Sequence, residues 1–339
     1  MVSAAPRRPR VGLVLGAGGV LGAAWMAGAL AALQRRLPYP LGAVDLIVGT
    51  SAGSALAAAL RCGVGVEDIV EHQRGTPLAL LPQLSEIDRD AGGPLPPLPR
   101  MRVGSPRLLI STALAPHRMH PWVAASALVP QGRARHTSLE GLVRGLLAQA
   151  EAHARPATAQ NAGEGWAPAG ETWIIAVDYD SGRRVAFGCT GAPPATLPEA
   201  VVASCSIPGW YRPTVIGRRR YVDGGVHSST SLDLLAEVDL DEVYVLAPMA
   251  SFVIDTPRNP YARLERQFRR LITLGLQREA WKVQARGIRV TLLTPGPADL
   301  TAMGANLMDP RRRIRVLETS LHTSAGALAT LDHRWRWAT

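Results

Sequence analysis

Short runs of apolar residues alternate along this chain with longer segments whose composition is typical of helices. The apolar runs predict buried strands at residues 11–15, 44–48, 172–178, 242–247 and 288–293. The segments between them predict helices at residues 21–35, 52–62, 139–154, 197–204 and 260–285. Strands that alternate with helices favour a mainly parallel sheet with helices on both faces. The pattern therefore predicts an α/β protein with three layers, α/β/α.

One domain is predicted over residues 11–325, with a basic tail at residues 1–10 and a second tail at residues 326–339. Inside this domain, residues 76–121 are dense in proline and leucine, and closely spaced prolines disfavour regular helix and strand. Long irregular segments of a compact domain are often lids, and the leucines of this one suit an apolar surface. A lid and a plain surface excursion both remain open.

Residues 11–33 carry no charge and in that respect imitate a signal peptide or a membrane-spanning helix. Six glycines interrupt the run, and alanine supplies most of the remainder in place of leucine, isoleucine and phenylalanine. The segment therefore predicts a strand, a glycine loop and an alanine-rich helix. The expectation is a cytoplasmic protein whose contact with a membrane, if any, is peripheral.

The three cysteines, Cys62, Cys189 and Cys205, lie far apart in the sequence, and no histidine lies at zinc-ligand spacing from them. His117 and His120 are close to each other, but no carboxylate or cysteine is near enough in sequence to complete a metal site. Neither a metal nor an organic cofactor is therefore expected.

Arginine gives the chain a formal net charge of +10, with 37 basic and 27 acidic residues. Arginine clusters at residues 263–270 and 311–315 suit phosphate-bearing surfaces, either anionic lipid or nucleic acid, and solvated helix faces are the alternative interpretation. No stretch interleaves aromatic with basic residues as single-strand binders do, so nucleic acid is not an expected partner. Peripheral contact with an anionic membrane surface stays open, as does the oligomeric state.

The strand at residues 44–48 runs through the motif Gly-Thr-Ser-Ala-Gly, residues 49–53, directly into a helix. This context is typical of a nucleophile elbow, in which a serine sits on a sharp, strained turn between strand and helix. Glycines at both ends of the motif leave room for the adjacent strand and helix. The turn exposes Ser51 at the positive end of the helix, where developing negative charge is stabilised. An ordinary turn of small residues is the alternative.

A glycine-rich loop at residues 16–22 follows the first strand and precedes the first helix. A dinucleotide site needs a third glycine where this chain has Leu21. It also needs an acidic residue that ends the second strand, whereas Asp45 lies at the beginning of that strand. The backbone N–H groups of such a loop suit an oxyanion hole better, because a candidate nucleophile follows on the next strand.

A base for Ser51 is available at the end of a later strand, where Asp223 precedes Gly224 and Gly225. A tight Asp-Gly-Gly turn aims the carboxylate, and a partly desolvated carboxylate beside a hydroxyl accepts its proton. Aspartate before two glycines also forms ordinary turns. The Asp-Gly-Gly motif taken alone favours an ordinary turn over a catalytic base. His227 is interpreted as a surface or supporting residue, with membership of a Ser-His-Asp triad as the alternative.

A glycine loop after the first strand, Gly-x-Ser-x-Gly after the second and a late Asp-Gly-Gly, in that order, resemble the patatin-like phospholipases. The resemblance extends to residues 203–209, 219–225 and 303–311 and covers nearly the whole chain. It implies a three-layer α/β/α fold with a central, mainly parallel sheet. It also implies a serine lipid acyl hydrolase that works with a serine–aspartate dyad and without histidine.

The resemblance implies that Ser51 is the nucleophile and Asp223 its base. It also implies an oxyanion hole and a set of motif glycines. The hole comprises Ala17, Gly18, Gly19 and Ala52, and the glycines are Gly22, Gly49, Gly53, Gly224 and Gly225. The loop departs from the family pattern at Ala17, where the family has glycine, and at Leu21, where it has a basic residue. Neither change removes a backbone N–H donor, so the oxyanion hole is expected to form. A cation that would attract an anionic substrate is missing from this loop.

The implied substrates are phospholipids or other acyl lipids, whose carboxylic esters are cleaved through an acyl-enzyme. A soluble short-chain esterase or thioesterase is one alternative. A lipid-binding or regulatory protein that keeps the fold without turnover is another.

Overall fold

The structure, a computed structural model, describes residues 7–76, 103–114, 117, 119–153, 165–168, 170–253 and 255–336. Its strands are β1 (Val11–Leu15), β2 (Leu46–Thr50), β3 (Glu171–Asp178), β4 (Arg184–Phe187), β5 (Thr214–Ile216), β6 (Arg219–Asp223), β7 (Glu242–Leu246) and β8 (Arg289–Leu293). Its helices are α1 (Gly19–Gln34), α2 (Ala52–Arg61), α3 (Val66–Arg74), α4 (Pro106–Leu114), α5 (Pro121–Ser126), α6 (Thr137–His153), α7 (Leu197–Ser204), α8 (Pro260–Gln284), α9 (Pro297–Met303) and α10 (Arg313–Arg336). Turns of 3-10 helix lie at Leu41–Ala43, Gly224–Val226, Leu232–Glu237 and Pro310–Arg312.

These strands form one sheet, in which each strand pairs with the next in the order β5, β6, β3, β2, β1, β7 and β8, and β4 also pairs with β3. Strands β3, β2, β1, β7 and β8 are parallel, whereas β4, β5 and β6 add antiparallel pairs. Successive residues of β1 alternate between two cores, one on each face of the sheet: Leu13 packs in one and Val14 in the other. The predicted three-layer α/β fold with a mainly parallel sheet is confirmed.

Helix α1, which forms most of the uncharged segment, is largely buried because its small residues let α10 approach closely. A Cβ added to Gly28 would lie 2.7 Å from the backbone nitrogen of Leu321, and Ser320 Oγ donates to the carbonyl of Trp25 at 2.7 Å. The helix begins at Gly19, two residues before its predicted start. Of the helices in the described part of the chain, none is long and apolar enough to cross a membrane.

The predicted domain limits fall partly outside the described residues and partly inside helices. Residues 1–6 of the basic tail are outside them, as are residues 77–102, 115, 116 and 118 of the proline-rich segment, so a lid there stays a prediction. The prediction of irregular structure is wrong for α4, because Pro106 opens this helix, where proline is tolerated. Pro121, the last residue of the segment, opens α5 in the same way. The boundary at residue 325 lies within α10, whose Leu328 is buried in the core.

The pairing of β3 brings the carboxyl ends of β2 and β6 together. Thr50 at the end of β2 pairs with Ile175, and Asp223 at the end of β6 pairs with Ala176. Both residues of β3 also pair with β4, which therefore occupies the opposite edge of the strand. Because β2 is parallel and β6 antiparallel to β3, their carboxyl ends meet head to head on one edge. Ser51, which follows Thr50, consequently lies beside Asp223.

Candidate active site

Ser51 sits on the turn between β2 and α2 with φ 53° and ψ −123°, a backbone conformation that residues other than glycine rarely adopt. The two glycines of the motif allow the close packing around this turn. A Cβ on Gly53 would lie 2.0 Å from the carbonyl oxygen of Leu15, and one on Gly49 would lie 2.6 Å from the Cα of Ser54. The local geometry is that of a nucleophile elbow.

Two other serines hold the backbone of Ser51 in this conformation. The N–H of Ser51 donates to Ser204 Oγ at 2.8 Å, and that hydroxyl donates to the carbonyl of Ile175 at 2.6 Å. Ser54 Oγ donates to the carbonyl of Ser51 at 2.6 Å. Sequence reasoning missed the role of Ser204, which lies on α7, 153 residues further along the chain, although the family resemblance includes residues 203–209.

Asp223 lies at the end of β6 with its carboxylate beside the nucleophile. The carboxylate accepts a hydrogen bond from the N–H of Gly225 at 2.7 Å, and the neighbouring Ser51 side chain favours its charged form. Burial disfavours the charged form and raises the pKa of Asp223 to about 6, although Ser51 and the N–H of Gly225 act in the opposite direction. The carboxyl group is therefore ionised at neutral pH, and it is a stronger base than an exposed aspartate.

The raised pKa of Asp223 predicts an acid limb in the pH profile of ester hydrolysis. Because the ionised carboxylate is the form that accepts a proton, kcat/KM is expected to fall about tenfold per pH unit below pH 6 and to level off above it. Initial rates on p-nitrophenyl butyrate from about pH 4 to about pH 8, with circular dichroism as a check on folding, measure this. A rate that does not change across pH 6 would contradict the role of this carboxylate.

The glycine loop after β1 lies against the nucleophile. The N–H of Ala17 donates to the carbonyl of Ser229 at 2.7 Å, so Ala17 fixes the loop but is not the free donor that the sequence predicted. The N–H groups of Gly18, Gly19 and Ala52 have no acceptor within the described part of the chain. Gly19 and Ala52 begin α1 and α2, so the positive ends of two helices meet here. This arrangement suits an oxyanion.

Close packing accounts for two further motif glycines, Gly22 and Gly224, and for Leu21. A Cβ on Gly22 would lie 3.2 Å from Cγ of Pro248, and one on Gly224 would lie 2.5 Å from the carbonyl oxygen of Ile175. Leu21 is fully buried. The position at which the family has a basic residue is therefore part of the apolar core in this protein.

His227 lies near the dyad without joining it. Its ring stacks on that of His120, with centroids 4.8 Å apart, and its Nδ1 has no hydrogen-bond partner among the residues that the structure describes. Burial and the charge of Arg184 lower the pKa of His227 to about 4, so the ring is neutral at neutral pH. The Ser51 side chain acts on the Asp223 carboxylate directly, and His227 is not among the groups that shift the pKa of Asp223. This arrangement favours a dyad over a Ser-His-Asp triad.

Two cavities meet at Ser51, and Gly19 also borders both. The smaller has a volume of about 210 Å³ and mainly apolar walls from α2, α3 and α6, including Ala55, Leu56, Ala59, Ile69 and Leu142. The larger, of about 670 Å³, has mixed walls that include Asp223, His120, His227, Glu279, Trp122 and Phe268. Trp122 and Phe268 are partly exposed and form its rim.

A serine on an elbow, a buried carboxylate beside it and two helix N-termini are the parts of a serine ester hydrolase. In the described residues, no group of three or more histidine, cysteine, aspartate and glutamate side chains is placed to hold a metal ion. Residues 13–236 match the family described as patatin-like phospholipase. The chain belongs to this family of lipid ester hydrolases, as its motifs predicted.

Several solved structures are distantly similar to this chain. VipD from Legionella pneumophila is 12% identical with a TM-score of 0.44, and the similarity covers 95% of this chain and 67% of VipD. ExoU from Pseudomonas aeruginosa is 17% identical with a TM-score of 0.41, over 96% of this chain and 54% of ExoU. Human GIVD cytosolic phospholipase A2 is 14% identical with a TM-score of 0.38, over 94% of this chain and 58% of the human chain.

The chain thus spans little more than half the length of ExoU and of the human phospholipase. Among curated proteins, none matches the chain. The family assignment therefore rests on residues 13–236, and the roles of individual residues rest on the geometry of the site.

Proposed function

We propose that this protein hydrolyses carboxylic esters of acyl lipids through Ser51 and Asp223. Ser51 Oγ attacks the ester carbonyl carbon while its proton passes to the carboxylate of Asp223. The carbonyl oxygen becomes an oxyanion, which the N–H groups of Gly18, Gly19 and Ala52 stabilise. When the C–O bond to the alcohol breaks, the leaving oxygen takes the proton from Asp223, and the acyl group remains on Ser51.

Water then completes the cycle by the same steps in reverse order. The water oxygen attacks the acyl-enzyme while Asp223 accepts one of its protons, and the oxyanion forms again at the same N–H groups. Collapse breaks the bond to Ser51 Oγ, which takes the proton from Asp223, and the fatty acid departs. The cycle restores both residues and needs no other reactant than ester and water.

The observation that carries this proposal is the position of the Ser51 side chain beside a buried carboxylate, at the point where β2 and β6 end together and where both residues line one cavity. The pKa of that carboxylate is raised to about 6. A serine that only filled a turn would need no buried acceptor of this kind. The strained backbone at Ser51, held by Ser204 and Ser54, further supports a functional role.

Hydrolysis of a lipid panel by the purified protein tests the proposal. Wild type is expected to release fatty acid from phospholipids or other acyl lipids, and Ser51→Ala is expected to abolish release while it remains folded, because the carbon–oxygen bond to the enzyme is not formed. A soluble short-chain esterase would act on butyryl esters or thioesters but not on long-chain lipids. A protein without turnover would bind lipid and release nothing, which would refute the proposal.

The two cavities suggest how the halves of the ester are separated. We infer that the smaller, apolar cavity takes the acyl chain and that the larger, mixed cavity takes the leaving alcohol. Ala59 lines the apolar cavity two turns of α2 beyond Ser51, which is about 12 Å along the helix. It therefore lies where the distal part of an acyl chain would contact the wall.

Ala59→Leu is expected to shift the enzyme toward shorter acyl chains. The added isopropyl group fills the distal part of the cavity, so the ratio of kcat/KM for palmitoyl over butyryl esters should fall about tenfold or more. Rates on a series of p-nitrophenyl esters measure the ratio. Ala298→Leu, an exposed change of the same kind on α9, serves as the control and should leave the ratio unaltered.

A further inference from the structure

Helix α8 exposes a set of large apolar side chains although its other side is already packed on the protein. Arg269, Leu276, Ala280 and Val283 are buried against the sheet and its connections. On the solvent side, the exposed residues recur at helical spacing; they are Tyr261, Leu264, Phe268, Leu271, Leu274 and Trp281. Leu264 is 70% exposed and Leu271 53% exposed. We call this surface the outer face of α8, and its apolar area suits an interaction site.

The outer face of α8 is also cationic. Arg263, Arg270, Arg278 and Lys282 are exposed on this helix. Its two acidic residues are engaged with the body of the protein. Glu265 accepts from Arg269 at 2.8 Å, and Glu279 accepts from Thr230 Oγ1 at 2.8 Å and from the N–H of Leu232 at 3.0 Å. Apolar and basic side chains therefore share a surface on which no carboxylate of the helix opposes them.

This surface continues into the larger cavity at the active site. Phe268 meets the ring of Trp122 edge to face, with centroids 5.4 Å apart. Leu271 and Arg278 border the same cavity, which extends to Ser51. A molecule held on the outer face of α8 thus adjoins the passage to the nucleophile.

We propose that the outer face of α8, together with Trp122, docks on an anionic lipid surface and admits lipid to the larger cavity. The proposal rests on the hydrolase function proposed above and assigns the surface through which substrate enters. Helices that lie in a lipid interface combine an apolar face with basic residues and aromatic side chains, and each basic residue near an anionic surface adds to the affinity. A second copy of this chain fits less well, because a two-fold contact would bring like charges of the two helices together.

Sedimentation with vesicles tests the docking surface directly. Wild type is expected to bind vesicles of equal parts phosphatidylcholine and phosphatidylglycerol at least tenfold more tightly than vesicles of phosphatidylcholine alone. The paired changes Leu264→Glu with Leu274→Glu, and Arg263→Gln with Arg270→Gln, should each weaken binding to the anionic vesicles about tenfold or more. None of these four residues borders either cavity, so hydrolysis of soluble p-nitrophenyl butyrate should be unaltered.

Two exposed changes elsewhere serve as matched controls. Val215→Glu on β5 replaces an exposed apolar side chain by glutamate, and Arg144→Gln on α6 removes an exposed arginine charge, both away from α8. Each should leave vesicle binding at the wild-type level. Ser51→Ala should also bind vesicles like wild type, so docking and hydrolysis are measured separately. If wild type released no fatty acid from acyl lipids and hydrolysed no butyrate, the proposed function would be refuted while the result on vesicle binding still stood.

Three results would overturn the docking proposal. The first is failure of wild type to sediment with anionic vesicles. The second is binding of both paired variants to these vesicles as tightly as wild type. The third is a wild-type dimer in sedimentation velocity that the paired change Leu264→Glu with Leu274→Glu dissociates and that anionic vesicles do not dissociate. That result would assign the surface to a second copy of the chain.

Discussion

Replacing Asp223 by asparagine is expected to lower kcat/KM for ester hydrolysis by about 10²- to 10⁴-fold, the usual contribution of a positioned base. The amide keeps the acceptor oxygen for the N–H of Gly225 but has no basic site for the proton of the Ser51 hydroxyl. The loss should appear in kcat/KM on soluble and vesicular esters alike. Wild-type rates in a folded Asp223→Asn protein would remove this carboxylate from the mechanism.

The same variant is expected to be at least as stable as wild type at about pH 8. The pKa of Asp223 in the folded protein, about 6, exceeds that of an ordinary aspartate. The protonated carboxyl group of Asp223 stabilises the folded protein fully at a pH below the pKa of an aspartate in the unfolded chain. This contribution is lost as the pH rises through about 6, because the buried group then carries a charge that burial disfavours. Asparagine is neutral at every pH and avoids that cost. Thermal unfolding of both proteins at about pH 8 measures the difference.

Asp233→Asn provides the opposite control. Burial raises the pKa of Asp233, but the two hydrogen bonds and the charge of Arg184 outweigh it and hold the pKa below its ordinary value. Ionised Asp233 therefore stabilises the fold at neutral pH, and this contribution is lost as the pH falls through its lowered pKa. The variant should lose about 1 to 3 kcal/mol of stability while it retains activity, since Asp233 does not touch Ser51 or Asp223.

The second large effect is expected for Gly53→Ala. The added Cβ would lie 2.0 Å from the carbonyl oxygen of Leu15 and 2.8 Å from that of Gly16, so α2 and β1 must move apart. Overpacking of this kind costs about 1 to 3 kcal/mol of stability or more. Because α2 carries Ala52 and β1 carries the glycine loop, the two sides of the oxyanion hole separate. A misplacement of about 1 Å lowers kcat about 10²-fold.

Urea unfolding and ester hydrolysis of Gly53→Ala measure the two consequences. Gly141→Ala is the matched control, because this glycine also lies in a helix but a Cβ there would have nothing within 4 Å. That change should raise stability by up to about 1 kcal/mol, as alanine favours helix over glycine. If the Gly53→Ala protein were as stable and as active as the Gly141→Ala protein, the site would not depend on the close approach of α2 to β1.

Features encoded within short stretches were predictable from the sequence. The buried strands, the elbow at residues 49–53 and the glycine loop all follow from local composition and spacing. The partnership of Ser51 with Asp223 came from family resemblance, and the structure gives its physical basis: β6 runs antiparallel to β3 and ends where β2 ends. Strand order and direction depend on contacts between distant segments, which local patterns do not record.

Other features depend on such long-range contacts and escaped prediction. Ser204 supports the backbone of Ser51 from another helix. The arginine cluster at residues 263–270 was interpreted as solvated or phosphate-binding, yet Arg266 and Arg269 are buried and bonded to Glu265 and to backbone carbonyls. Charge patterns along a sequence do not distinguish an arginine paired inside the fold from one in solvent. Only the exposed members of the cluster belong to the outer face of α8.

Identification of the residue that carries the acyl group during turnover tests the central claim most directly. Wild type mixed with p-nitrophenyl butyrate, quenched in acid and digested, is expected to show a butyryl group on Ser51 by mass spectrometry. Ser51→Ala should show none, and Asp223→Asn should acquire the group far more slowly. A butyryl group on another residue, or undiminished turnover by folded Ser51→Ala, would contradict the account.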